Sequence, residues 1–259
     1  MSKYLEDLFS LENKIALVTG AARGNGKVIA EALLRAGATV IIVDQLKNDL
    51  TKTLKSFKKL KSNCYGFSCD ITNKSQILKL KKYIKKEFNR IDILVNNAGF
   101  TSSNELLTYP DQIWEKTYQT NLKAPYELSK IVAPFMIKQK SGVIINITSL
   151  NSELAFPNNP AYVTFKGALK QLSKSLSLDL GKHGIRVNNI GPGYFKTKMT
   201  EKSWNDKKLR KIRSQRTVLG RWGRPSDLAG IIICLCSESS SYITGQDIYV
   251  DGGWLIKGL

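Results

Sequence analysis

Tyr162 and Lys166 stand four residues apart in a stretch that reads as helix, so their side chains share one face. An ordinary phenol loses its proton near pH ~10. A nearby ammonium favours the phenolate, and a phenol so placed serves as a general acid or base near neutral pH. Ser149 comes just after the apolar run Val143 to Thr148. That is the edge at which an α/β sheet presents ligand-binding groups, and the hydroxyl there can hydrogen-bond a reacting oxygen. Together the three describe proton transfer at an alcohol or carbonyl oxygen.

A second set of residues suits a phosphate-bearing ligand. Thr19-Gly20-Ala21-Ala22-Arg23-Gly24-Asn25-Gly26 joins an apolar run to a helical one. Gly20, Gly24 and Gly26 allow a tight turn and a close approach of backbone N–H groups to a phosphate, and the helix N-terminus adds a favourable dipole. The spacing is G-x-x-x-G-x-G and not the general G-x-G-x-x-G. Asp44 closes the next apolar run, about 20 residues on, where a carboxylate binds the ribose 2′-hydroxyl and repels a 2′-phosphate. It favours NAD over NADP. Arg23, a base in the loop, pulls the other way.

These residues need a frame, and the hydrophobic pattern supplies one. Short apolar runs at 15–19, 39–43, 65–69, 91–95, 143–148, 186–190 and 248–250 read as strands. Helical stretches at about 24–36, 46–60, 74–88, 112–136 and 160–180 separate them, and another begins near Pro225. In the 74–88 stretch, Ile77, Leu80, Ile84 and Phe88 fall on one face. The alternation predicts an α/β fold: a doubly wound parallel sheet of about seven strands with helices on both faces. No linker or repeat interrupts the 259 residues, which read as one domain over 1–259.

Composition excludes several chemistries. His183 is the single histidine, which removes His-based triads, His-rich zinc sites and most metalloproteases. The four cysteines show no C-x-x-C spacing, so neither metal nor disulfide is expected and the compartment reads as reducing. The N-terminal stretch lacks the apolar segment of a secretory signal, and Leu228 to Cys236 is far short of the ~18 residues of a membrane span. A cytoplasmic protein with no membrane partner is expected. The net charge is +19. Its 40 bases comprise 31 Lys and 9 Arg, a balance suited to solvated helix faces more than to base or phosphate readout. The basic helices also lack interleaved aromatics, which weakens a nucleic-acid reading.

The chain resembles the short-chain dehydrogenase/reductase family from Asn13 to Trp254, in the form carrying TGxxxGxG, NNAG and YxxxK. The matching pieces are Thr19 to Gly26, Asp70-Ile71, Asn96 to Gly99, Asn121, NITS ending at Ser149, Tyr162 to Lys166, GPGYFKT from Gly191 to Thr197, and Val250 to Trp254. The resemblance implies a Rossmann-like, NAD(P)-dependent oxidoreductase that usually forms a homotetramer. It implies that Tyr162 exchanges the proton, Lys166 binds the nicotinamide ribose and Ser149 positions the carbonyl or hydroxyl. Asn121 would hold a relay water. Gly20, Arg23, Gly24, Asn25, Gly26, Asp44, Asp70, Ile71, Asn97, Ala98, Gly99, Pro192, Gly193, Phe195 and Thr197 would line the cofactor, whereas Asn96 would tie strands together. Pro125, four residues after Asn121, has no N–H to give the Asn121 carbonyl, which leaves that carbonyl available to a water. Three positions depart from the pattern: Asn25 replaces an apolar residue, Phe165 a small one and Thr148 a serine.

Residues 193–224 follow the nicotinamide end and read as a substrate lid dense in Lys and Arg, a field that would attract an anionic small molecule. The stretches around Asn151 and Tyr194 look most like the sugar and sugar-acid enzymes of the family, such as gluconate 5-dehydrogenases. Asn151, Glu153, Asn158 and Trp204 could meet a polyol. The alternatives are an NADPH-dependent 3-oxoacyl carrier-protein reductase and, from another class, a catalytically silent nucleotide sensor or nucleic-acid binder.

Overall fold

The computed structural model describes residues 2–60 and 63–257. After a short helix α1 (Lys3–Phe9), strand and helix alternate: β1 (Ile15–Thr19), α2 (Gly24–Arg35), β2 (Thr39–Asp44), α3 (Lys47–Lys58), β3 (Cys64–Ser68), α4 (Lys74–Glu87) and β4 (Ile93–Asn96). There follow α5 (Asp111–Tyr118), α6 (Ala124–Gln139), β5 (Gly142–Ile147), α7 (Pro160–Gly181) and β6 (Ile185–Pro192). The last elements are α8 (Glu201–Asn205), α9 (Lys207–Arg216), α10 (Ala229–Cys236) and β7 (Asp247–Val250).

All seven strands lie in one parallel sheet of order β3-β2-β1-β4-β5-β6-β7. Buried β-branched and leucine side chains alternate between its faces, as a period of two demands. Ala16 and Val18 of β1 join Val40, Ile42, Ile93, Val95, Ile145 and the buried face of α2 and α10. Leu17 joins Ile41, Val43, Leu94, Ile144 and the apolar stripes of α4 and α6 on the other side. Ile77, Leu80 and Ile84 are buried there with Phe88 packed beside them, as the helical spacing predicts. The strand order reverses between β1 and β4, and ligand crevices open at that reversal, beyond the C-terminal strand ends.

The sequence reading differs in two places. The single helix expected over 112–136 is two helices joined by a π-helical turn, Gln119–Lys123. Pro125 follows directly, and a proline without an N–H forces the preceding bonds to rearrange. The basic stretch after β6, which reads as irregular, holds α8 and α9. Their apolar periodicity is faint because α9 buries no residue of its own and carries six bases among ten residues, KKLRKIRSQR. Its start is nonetheless encoded, since the Asp206 carboxylate accepts from the Leu209 N–H at 2.9 Å. No helix among the described residues is long and apolar enough to cross a membrane.

Candidate active site

The glycine loop leaves β1 and enters α2 under tight steric control. A side chain at Gly26 would place its Cβ 2.2 Å from the Gly20 carbonyl oxygen and 2.3 Å from Asn97 Nδ2. Only glycine allows α2 to close so tightly on the loop. Gly24 sits at φ +59°, a left-handed conformation that favours glycine, and opens toward Thr197. The β4 end clamps the loop in return. Asn97 Nδ2 donates to the Thr19 and Gly20 carbonyls at 2.9 and 3.1 Å. The N–H groups of Asn97 and Ala98 both donate to Thr19 Oγ1. Asn25 Oδ1 is buried in this loop without a partner among the described residues. The open glycine surface and that unmatched acceptor fit the phosphates and amide of a nicotinamide dinucleotide.

The expected adenine end gathers at the tips of β2 and β3. Asp44 is 9 % exposed, and each of its oxygens is engaged, Oδ2 accepting from Ala22 N at 3.1 Å and Oδ1 from Leu46 N at 3.0 Å. The same carboxylate therefore braces the glycine loop as well as facing the crevice. Arg23 turns to Asp49 at 3.6 Å and remains half exposed. Asp70 is anchored by Thr72, whose N–H and hydroxyl both donate to Oδ1, and Ile71 beside it is buried.

Ser149, Tyr162 and Lys166 converge beyond β5. Asn151 holds Ser149 through two contacts of 3.2 Å: its Oδ1 accepts from Ser149 Oγ, and its N–H donates to the same oxygen. Asn151 is therefore occupied in orienting Ser149, a role the sequence reading missed. Lys166 is 3 % exposed, and its Nζ donates to the Ile147 carbonyl at 2.6 Å and lies 5.7 Å from the centre of the Tyr162 ring. Burial pulls the Lys166 amine down from 10.5 to about 8. Burial pushes the Tyr162 phenol above its ordinary value, against the Ser149 hydroxyl, which favours the phenolate, and together with Tyr194, which opposes it. Desolvation outweighs the Ser149 hydrogen bond, and the net shift is upward where the neighbouring Lys166 led to the expectation of a more acidic phenol, so without further positive charge the phenol keeps its proton.

Asn121 is wholly buried in the π turn. Its side chain is closed on the Phe100 backbone, accepting from the N–H and donating to the carbonyl, each at 2.8 Å. With the side chain so engaged, the main-chain carbonyl is the group of Asn121 that Pro125, lacking an N–H, does not serve as an α-helical donor. Gly99 lies beside both groups: a Cβ there would stand 3.5 Å from Asn121 Oδ1 and 3.9 Å from Lys166 Nζ. Asn96 ties strands, as expected, through Asn146 at 2.8 Å, which continues to Ser173 at 2.7 Å and Asn189 at 2.6 Å.

Beyond β6, the turn at Pro192 and Gly193 is pinned by the Gly193 N–H on Val250 O at 2.9 Å. Phe195 is buried, and the Thr197 N–H donates to Thr200 Oγ1 at 3.1 Å. Tyr194 lies in an aromatic group with Phe156, Trp222 and Trp254. Glu153 is taken up by Lys170 and by the Tyr249 hydroxyl, and Trp204 is flanked by Lys196 and Arg210. These partners supply an account of Glu153 and Trp204 that does not involve a polyol. Phe165 fits where a small residue is usual because its ring packs outward, 5.0 Å from Trp114 and 5.4 Å from Tyr118.

A parallel sheet with a glycine cradle at its switch point and a Ser–Tyr–Lys group beside it defines a dinucleotide-dependent oxidoreductase. The family model described as enoyl-(acyl carrier protein) reductase matches residues 20–255. The chain is 38 % identical over 249 residues to gluconate 5-dehydrogenase of Gluconobacter oxydans, covering 95 % of this chain and 96 % of that one. It is 36 % identical over 246 residues to a 3-oxoacyl-[acyl-carrier-protein] reductase of Thermotoga maritima, covering 95 % and 99 %. A gluconate 5-dehydrogenase from Burkholderia cenocepacia, solved in complex with NADP and tartrate, superposes with a TM-score of 0.93 at 32 % identity over 97 % and 99 % of the two chains. The chain belongs to the short-chain dehydrogenase/reductase family and is an NAD(P)-dependent oxidoreductase acting on CH–OH groups.

Proposed function

We propose that this oxidoreductase interconverts a secondary alcohol and its ketone in a sugar acid, in the manner of a gluconate 5-dehydrogenase, as one domain with residues 193–224 as lid. The observation that carries the reading is the convergence of Ser149, Tyr162 and buried Lys166 beside the glycine cradle. Gly20, Gly24, Gly26, Asp44, Asn97, Ala98 and Thr197 would hold the dinucleotide. When bound, it supplies the hydride acceptor or donor and, when oxidised, a positive charge near the phenol.

Ser149, steadied by Asn151, holds the substrate oxygen by a hydrogen bond. Tyr162 takes the hydroxyl proton in oxidation and returns it in reduction. Its phenol, kept protonated by burial, is a ready donor for reduction. Lys166, anchored on Ile147, contributes a positive field and a donor at its Nζ. The Asn121 carbonyl, left without a proline N–H opposite it, would hold the water through which the proton reaches solvent.

For the cofactor we favour NAD, on the buried Asp44 carboxylate, whose charge would stand against a 2′-phosphate. The NADP held by the Burkholderia cenocepacia structure weighs toward the phosphorylated form. Titrating both reduced dinucleotides by fluorescence decides between them. The family resemblance extends the reading to a cytoplasmic homotetramer. A second activity, reduction of a 3-oxoacyl carrier-protein thioester, is favoured by the Thermotoga maritima relative and the positive lid. A screen of gluconate, other sugar acids, neutral polyols and 3-oxoacyl thioesters, read by reduced-nicotinamide absorbance, tests the reading. Turnover of sugar acids supports it, and selective turnover of thioesters replaces it.

A further inference from the structure

Helix α9 has two cationic faces. Lys207, Arg210 and Lys211 line a hollow on one side. Arg213 and Arg216 project from the other, as the helical period requires. The Arg213 guanidinium lies over the Tyr194 ring, 4.2 Å from its centre, and Arg216 lies 5.6 Å from the centre of Trp254.

The Tyr194 ring is fixed on its remaining sides, with Trp254 at 4.9 Å, Trp222 at 5.3 Å and Phe156 at 6.2 Å between ring centres. It follows Gly193, just past the end of β6. Phe156 belongs to the loop that leaves Ser149. The Arg213–Tyr194 stack is therefore set between the turn after β6 and the loop that carries Ser149 toward Tyr162.

Four of the other eight arginines have their charge matched by acids, Arg23 by Asp49, Arg35 by Glu31, Arg90 by Asp92 and Arg221 by Asp227, whereas Arg186, Arg210, Arg216 and Arg224 form no ion pair among the described residues. Arg213 is half-buried and has no carboxylate within 4.0 Å among the described residues. The Tyr194 hydroxyl likewise forms no hydrogen bond with another described residue. An aromatic face holds a guanidinium flat and leaves its N–H edge free, the edge that matches a carboxylate bidentately. Lys196 and Arg210 are laid in the same way on Trp204, whereas the ring under Arg213 belongs to the turn that follows β6.

We propose that Arg213, set on Tyr194, is the residue that recognises the carboxylate of the substrate and so selects acids over neutral polyols at the same reacting centre. The inference rests on the sugar-acid reading for its substrate but only on the lid geometry for its anion.

The test compares wild type with Arg213→Gln and Arg213→Lys on D-gluconate and on its neutral counterpart D-glucitol, with L-tartrate as a competing dicarboxylate measured both by inhibition and by calorimetry. Arg213→Gln should lower kcat/KM for gluconate about 30- to 100-fold, mostly through KM, leave glucitol within about threefold, and weaken tartrate binding by a similar factor. Arg213→Lys should keep part of the preference. Equal loss on both substrates, or unchanged gluconate kinetics and tartrate binding in Arg213→Gln, would overturn the assignment. A wild-type enzyme inactive on gluconate, whose tartrate binding nevertheless falls in Arg213→Gln, would remove the sugar-acid reading and leave the acid-recognising edge standing. Loss of neither substrate preference nor tartrate affinity would remove the edge itself.

Discussion

Lys166 donates to the backbone carbonyl of Ile147 at 2.6 Å, and this buried ammonium has no acid to neutralise it among the described residues. The arrangement costs stability, and the sign can be followed. The amine titrates at about 8 in the folded chain against 10.5 unfolded, so the native state binds fewer protons between those pH values. Stability rises with pH across that window, and the penalty is complete below about pH 8.

A fall from 10.5 to about 8 corresponds to roughly 3 kcal/mol, against about 1 kcal/mol for the lost hydrogen bond. Lys166→Met should therefore stabilise the protein at pH 7 by about 2 kcal/mol, raising Tm by roughly 5 °C, while abolishing turnover. Scanning calorimetry at pH 7 and pH 10 checks this, and the gap between variant and wild type should narrow at the higher pH. A variant less stable at both would show that the hydrogen bond outweighs the burial of charge.

Gly26→Ala tests the cradle. The added carbon would meet the Gly20 carbonyl at 2.2 Å and Asn97 Nδ2 at 2.3 Å, both held by neighbouring backbone. Separation of α2 from the loop should weaken reduced-dinucleotide binding by about 100-fold, read by fluorescence titration, and lower Tm by several degrees. Unaltered affinity would mean that the loop accommodates a side chain.

Much of this was legible in the residues. The seven apolar runs became the seven strands with small shifts at their ends; β1, β2, β4 and β5 are buried on both faces and so are apolar almost throughout, whereas the edge strands β3 and β7 are only partly covered. The glycine loop, Asp44, Ser149, Tyr162 and Lys166 carry type and spacing that the fold brings to one edge. What escaped was long-range pairing. Nothing near Glu153 announces Tyr249, which donates to it across 96 positions of sequence. Nothing in the charge-dense α9 distinguishes Arg213, set against Tyr194, from its neighbours along the helix. The direction of the Tyr162 shift also depends on burial, which spacing alone does not reveal.

Asn151→Ala removes the acceptor at 3.2 Å from Ser149 Oγ and frees that hydroxyl to rotate. The expected result is a fall in kcat of about tenfold with little change in dinucleotide affinity. Steady-state kinetics beside fluorescence titration separate the two. An unchanged kcat would assign Asn151 no part in holding Ser149.

Asp44→Asn should reduce repulsion of a 2′-phosphate while keeping one acceptor for the N–H groups of Ala22 and Leu46, now at 3.1 and 3.0 Å from the carboxylate. The ratio of NADPH to NADH affinity should rise about tenfold. A ratio that does not move would place the 2′ position elsewhere, and Arg23 with Asp49 would be the next pair to vary.

The most direct measurement is the turnover of Tyr162→Phe, with its dinucleotide affinity measured on the same preparation. Removing the phenolic hydroxyl should lower kcat by about a thousandfold or more and leave reduced-nicotinamide binding within about twofold, because the ring remains and only the proton-carrying group is gone. Substantial turnover in that variant would contradict the proposal that this oxygen carries the proton.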